Sequence, residues 1–215
     1  MEIHLAAITD RERSKVLTGL VVPRPIAFVS TRSPEGRFNA APFSFFNLMS
    51  VSPPIVVIGV NRRPGGNKDT YTNIQATGEF VVNIVSAELG HAMNQSSLES
   101  PPEIDEFEVA GLTAVPSLVV GAPRVGEAPA HLECRLNQWV NVGAGKQFIV
   151  GDIVHMHVRD DIVSQNFRID QGLLDPLGRM GGVLYTRTRD TFPMERPDTE
   201  AMLAAFESRR RAGDR

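Results

Sequence analysis

Apolar positions along the chain fall into short runs broken by proline, glycine and small polar residues, the pattern of strands joined by turns. IAFVSTRS (26–33) reads as a strand, PEGR (34–37) supplies turn chemistry, and FNAAPFSFF (38–46) brings the chain back. PPIVVIGV (53–60) and EFVVNIVS (79–86) are further apolar strands. In AHLECRLNQWVNV (130–142), Leu132, Cys134 and Leu136 alternate with His131, Glu133 and Arg135, which predicts a half-buried strand with the polar set facing water. After the loop GAGK (143–146), QFIVGDIVHMHVRDDIV (147–163) completes a long antiparallel hairpin, and GVLYTRT (182–188) is a last short strand.

Helical stretches are fewer. Residues 9–19 start at Thr9 or Asp10 as cap and end near Gly19, after which Pro23 and Pro25 impose extended backbone. A second helix runs from about Asp69 to Ala76 with Gly78 as its stop. AELGHAMNQSS (87–97) and PEIDEFEVAG (102–111) also read as helical, and DTEAMLAAFESRRR (198–211) forms an amphipathic tail. With no internal repeat and no composition break, the prediction is one β-barrel domain over 1–190 with short decorating helices, followed by a tail over 191–215.

Composition narrows the function. Hydrophobic residues at 42% and charged residues at 22% are those of an ordinary globular chain, and a net charge of −3 argues against nucleic-acid binding. Cys134 is the single cysteine, so no intrachain disulfide forms, as in a reducing compartment. The charged start MEIHLAAITDRERSKV lacks a signal peptide's apolar stretch, and runs such as IVVIGV are too short to span a bilayer. We therefore expect a cytoplasmic protein without a membrane partner.

Several chemistries lack support. No Gly-x-Gly-x-x-Gly follows a strand, and around GAGK the phosphate-loop pattern fails at Val140 and Gln147. His155 and His157 share a strand face, but no fixed third ligand accompanies them, so no metal site is expected. Cys134, among apolar neighbours, reads as a small hydrophobe rather than a nucleophile.

Three stretches carry positive signals. In GGNKDTYTNI (65–74), Gly65 and Gly66 permit close backbone approach, and Lys68 and Thr70 stand at a helix start whose N–H groups attract anions. Asp69 suits a cap or an orienter of Lys68, and on these residues alone an ordinary cap with an exposed lysine is the commoner arrangement. In STRSPEGRFNAAPFSFFN (30–47), the small polar residues Ser30, Thr31, Asn39 and Ser44 flank Ala40, Ala41 and Pro42. Proline belongs on an edge strand or bulge, where free backbone groups can bond the rim of a flat ring. Phe28, Phe43, Phe45 and Phe46 are available to cover such a ring, although for Phe45 and Phe46 individually a place in the core is the favoured reading. In PLGRMGGVLY (176–185), Arg179 precedes Gly181 and Gly182, which fits either a cofactor contact or a tight turn with an exposed arginine.

In one fixed order, RPIAFVST (24–31), NAAPFSFFN (39–47), SPPIVVIGV (52–60), KDTYTNI (68–74), TGEFVVNIVS (77–86), DEFEVAGL (105–112), PAHLEC (129–134) and GRMGGVLY (178–185) resemble the flavin reductase-like family, the FMN-binding split barrels, in its flavoredoxin-like branch. The resemblance implies a mainly β, six-stranded antiparallel split barrel, usually a homodimer with FMN near the subunit interface. It implies that Ser30, Thr31 and the backbone of Asn39, Ala41, Pro42, Phe43 and Ser44 contact the flavin. Lys68 and Thr70 would serve its phosphate end with Asn61, Asp69 would belong to the same cofactor-binding set beside Lys68, and Arg179 would lie near the ring or the nicotinamide entry. The implied activity is that of an FMN-dependent oxidoreductase, an NAD(P)H:flavin reductase passing hydride from NADH or NADPH to FMN and electrons onward to a monooxygenase or other acceptor. The alternative is an FMN-holding electron-transfer protein reduced by a protein partner. The cofactor carries that chemistry, so no catalytic side chain is nominated. Two departures mark this chain: Phe28 stands where many relatives carry Trp, and Gly-Arg-Met-Gly-Gly (178–182) occupies a region where many flavin reductases place a histidine.

Overall fold

The computed structural model describes residues 1–61, 66–98, 104–143 and 145–213. Gly65, Pro102, Glu103 and Ala144, named in the readings above, lie outside the described residues. In chain order the strands are β1 (Arg24–Pro25), β2 (Ala27–Arg32), β3 (Phe38–Phe43), β4 (Phe46–Val51), β5 (Pro54–Asn61), β6 (Glu79–Ile84), β7 (Ala114–Val115), β8 (Arg124–Val125), β9 (Ala130–Gly143), β10 (Lys146–Val158), β11 (Leu177–Arg179) and β12 (Tyr185–Arg187). The α-helices are α1 (Asp10–Leu20), α2 (Asp69–Thr77), α3 (Gly90–Gln95), α4 (Glu106–Val109), α5 (Gln171–Leu174) and α6 (Thr199–Gly213).

Seven strands form one antiparallel sheet in the order β3-β2-β6-β9-β10-β5-β4. Six strands were expected. The addition is β4, which arises because the run FNAAPFSFF breaks at Ser44–Phe45 and its second part pairs with β5. Strands β3 and β4 are consecutive in the chain yet lie at opposite ends of the sheet. Only Ser44 and Phe45 join them, a link reaching about 11 Å, whereas seven flat strands would span about 29 Å. The sheet therefore has to curl, although its ladder order remains open. Pro42 lies on edge strand β3, where its missing N–H interrupts no central ladder.

Two apolar cores sandwich β2. Ala27 and Val29 pack with Ile58, Phe80, Cys134 and Ile149 inside the curl. Phe28 points the other way, into a second cluster with Val85, Met93, Phe107 and Val125. Gly151 is required inside the curl, because any Cβ there would run into the Phe80 ring.

The helices differ from their predicted extents in instructive ways. Thr9 rather than Asp10 caps α1, through a reciprocal pair in which the Glu12 N–H donates to Thr9 Oγ1 (3.3 Å) and the Thr9 N–H to Glu12 Oε2 (2.8 Å). Gly78, at φ 71°, ends α2 in the left-handed region as expected. The third and fourth helices are shorter than read, and α4 starts where Asp105 accepts from the Phe107 N–H at 2.8 Å. Between Pro176 and Tyr185, a stretch read as either a cofactor contact or a tight turn supplies β11, which pairs with β1 and β12 in a separate three-stranded sheet. Among the described residues, no helix is long and apolar enough to cross a membrane.

The expectation that the polar set of β9 faces water holds at Arg135 and fails at the two residues before it in that set. His131 and Glu133, assigned to water by alternation, are both buried. The segment carrying β7 and β8 folds across this outer face and replaces solvent with its own backbone donors.

Candidate functional site

Helix α2 meets the β2–β3 hairpin through a polar face. Thr70, Asn73 and Ile74 are its buried positions, at the i, i+3, i+4 spacing of one helix face. A buried polar face is stable only when its groups are paired. Asn39 Nδ2 donates to Thr70 Oγ1 at 3.3 Å, and Asn73 Nδ2 donates to Thr31 Oγ1 at 3.0 Å. The first ties the helix start to edge strand β3 and the second ties the middle of the helix to β2. Lys68 takes the N-cap position with no side-chain cap bond from it, so the cap read for Asp69 or Thr70 is not the arrangement adopted. Lys68 Nζ lies 5.1 Å from the centroid of the Phe43 ring.

The result is a cleft of about 110 Å³ that gathers Asn39, Ala41 and Pro42 from β3 with Lys68, Asp69 and Thr70 from the start of α2. Ser96, Ser97, Leu98 and Glu106 complete the lining. Sequence reasoning missed these four, since no local pattern relates the end of α3 to the β3 edge. The ionisable lining is one lysine and two carboxylates, Asp69 and Glu106. Its positive elements are Lys68 and the N-terminus of α2.

The remaining nominated residues lie elsewhere. Ser30 is fully buried, its hydroxyl donating to the Pro123 carbonyl and accepting from Asn83 Nδ2 at 2.9 Å. Thr31 is buried under α2, and neither side chain lines the cleft. Phe43 is buried beneath Lys68, and Phe28 is wholly internal, so Phe28 covers no open ring. Phe45, read as core, is half exposed, because the bend between β3 and β4 turns it outward. Ser44 Oγ lies 3.5 Å from Arg24 Nε, and Asn61 Oδ1 accepts from Lys146 Nζ at 3.2 Å. Arg179 lines a different cleft with Tyr185.

Behind the hairpin, Asn83 organises a buried network. Its Nδ2 donates to the Phe28 carbonyl and to Ser30 Oγ, and its Oδ1 accepts from the Val125 N–H, each at 2.9 Å. Because Oδ1 is an acceptor, His131 Nδ1, 2.9 Å away, carries the proton. Burial first, then the charges of Arg124 and His157, holds the His131 imidazole down to about 4, with Glu133 opposing them. Glu133 accepts from the N–H groups of Leu118, Val119 and Val120 and from His157 Nε2. Burial works against its charge, yet these donors outweigh it and hold the carboxyl at about 2. Cys134 is buried in the inner core, and desolvation pushes its thiol well up, so it is not a nucleophile at neutral pH.

The cleft fits one end of a mononucleotide. A hydroxyl, an amide, an ammonium and a helix start converge there, and β3 offers edge backbone beside them. Its volume falls below the roughly 300 Å³ at which enclosed small-molecule sites begin. A flat ring would therefore have to extend along the β3 edge beyond it.

Residues 19–187 match the model of the flavin reductase like domain. Nitrilotriacetate monooxygenase component B from Bacillus cereus is 33% identical, with a TM-score of 0.87 over 90% of this chain and 98% of that one. The 2-nitrobenzoate 2-nitroreductase of Pseudomonas fluorescens is 34% identical, with a TM-score of 0.86 over 93% and 98%. Flavoredoxin of Desulfovibrio vulgaris (Miyazaki F), at 23% identity, shares the fold with a TM-score of 0.73 over 90% and 97%.

Proposed function

The chain belongs to the flavin reductase-like domain family, and from that premise we propose that it is an FMN-dependent NAD(P)H oxidoreductase. The observation that carries the reading is the single cleft lined by Asn39, Ala41 and Pro42 together with Lys68, Asp69 and Thr70. Those two segments are separated in the chain by β4 and β5, and the fold brings them together.

In this reading Lys68, Thr70 and the N–H groups opening α2 hold the phosphate. Asn39 is the rim residue that fixes Thr70 through its 3.3 Å hydrogen bond. Backbone N–H groups between Ala41 and Ser44 face the ring and favour negative charge on it. A bound flavin supplies the hydride and electron chemistry, and the protein contributes position and field. The small volume of the cleft leaves the ring to be enclosed by a second copy of the chain. Exposed Phe45, Met49, Val51 and Phe148 provide apolar surface around β4 for that contact. The names of the similar monooxygenase component and nitroreductase favour onward delivery of electrons to an acceptor.

A second reading, an FMN-holding carrier reduced by a protein partner, is favoured by one observation. Arg179, the cation nominated for the nicotinamide entry, lines a separate cleft. An absorbance spectrum of the purified protein tests for flavin, and colourless protein that takes up no FMN overturns both readings. Mixing FMN-loaded protein with NADH or NADPH without air separates the two. Bleaching within seconds supports the reductase, and persistent yellow supports the carrier.

A further inference from the structure

A second cleft, of about 390 Å³, lies between α3 and the β11–β12 hairpin. Leu177, Val183 and Tyr185 form its hairpin wall, and His91 and Asn94 its helix wall. The two elements close on each other at Gly90, where a Cβ would stand 2.6 Å from Leu177 Cδ1.

Its charge is unbalanced. The Arg179 guanidinium stacks 4.4 Å from the ring centroid of Tyr185, its cross-strand partner. Nη2 donates to the Gly182 carbonyl at 2.6 Å, and no carboxylate among the described residues pairs with this arginine. Directly opposite on the ladder stands Arg24, itself buried. Its donors go to the carbonyls of Thr18, Val21 and Met180 and to Ser44 Oγ, none of them a counter-charge. Burial and then the Arg179 charge lower the Arg24 pKa. Like charges facing each other across a ladder destabilise it. An anion in the cleft would relieve that repulsion.

We propose that this cleft binds a small aromatic carboxylate, with the carboxylate on the open edge of the Arg179 guanidinium and the ring against Leu177 and Val183. A guanidinium held over an aromatic face keeps a planar edge of donors that matches a carboxylate. The apolar walls select an aromatic body over a bare anion, and the volume lies in the usual small-molecule range. The site does not depend on the flavin reading, because it shares no lining residue with the first cleft.

The test is calorimetric titration of the purified full chain with benzoate, benzamide, nicotinamide, acetate and inorganic phosphate. Saturable benzoate binding is expected, with the two neutral amides and the two non-aromatic anions weaker by about tenfold or more. Arg179→Gln should weaken benzoate by about the same factor. Val183 is 86% exposed, so Val183→Asp leaves the fold intact while placing a negative charge at the mouth, and it should also weaken benzoate. Absence of saturable benzoate binding overturns the proposal. So does benzamide or nicotinamide binding as tightly as benzoate, phosphate or acetate doing so, or an unchanged benzoate affinity in Val183→Asp.

Discussion

Replacing Glu133 by glutamine tests whether the carboxylate clips the 118–120 backbone to the sheet. Glu133 is 0% exposed. Its Oε1 receives the Leu118 N–H at 2.8 Å and His157 Nε2 at 2.5 Å, and its Oε2 receives the Val119 and Val120 N–H groups at 2.6 and 3.1 Å. Glutamine keeps one oxygen and puts an NH₂ in place of the other: at the Oε2 position the NH₂ faces two backbone donors, and at the Oε1 position it faces the Leu118 N–H, while His157 can accept from it by changing tautomer. Hydrogen bonds to a charged acceptor contribute about 1.5–3 kcal/mol each, and a buried donor left unpaired costs about 1–3 kcal/mol. The variant should lose roughly 2–5 kcal/mol in urea unfolding, with the denaturant slope unchanged. The pH dependence is an independent signature. A carboxyl held at about 2 against an ordinary 4.5 contributes stability that is fully present above pH 4.5 and is lost as pH falls toward 2. That window corresponds to roughly 3 kcal/mol. It should be present in the wild type and absent from Glu133→Gln. A cost below about 1 kcal/mol, or an acid limb identical in the two proteins, would refute the clip.

His131, held down to about 4 against an ordinary 6.5, contributes stability that is complete above pH 6.5 and lost as pH falls toward 4. His131→Asn, which keeps a donor for Asn83 Oδ1 but cannot titrate, should flatten that part of a urea-midpoint profile. Gly151→Ala drives a methyl into the Phe80 ring, and a melting experiment should show a cost of about 1–3 kcal/mol; no loss would mean the ring shifts freely. Lys68→Ala should weaken FMN by about 1–3 kcal/mol and riboflavin, which lacks the phosphate, by much less. Equal losses in fluorescence titrations of the two flavins would assign Lys68 to folding.

The strands were legible where the signal is local. Alternation and turn residues located β2, β5, β6 and the β9–β10 hairpin, and Gly78 stopped α2 because only a residue at ease at φ 71° ends a helix that way. Thr9, read with Asp10 as a candidate cap, announced α1, and Pro42 announced an edge. β4 was not legible, because Phe46–Val51 becomes a strand only by pairing with β5 after a two-residue bend. The partition of the nominated binding residues was likewise hidden. Ser30, Thr31, Asn39 and Ser44 look alike in sequence, yet only Asn39 reaches the cleft, because α2 and the segment at Pro123 cover Thr31 and Ser30.

By itself, then, the order of residues determined the β-rich class, the cap of α1 and the stop of α2, and the family likeness, and it nominated segments 39–44 and 68–70, of which Asn39, Ala41, Pro42 and 68–70 end in one cleft. Tertiary structure alone decided that Glu133 faces backbone donors and His131 the Asn83 side chain rather than water, and that Arg179 lines a separate cleft. The reason is physical. Periodicity records which side of an element a residue occupies, whereas burial depends on what distant chain packs against that side.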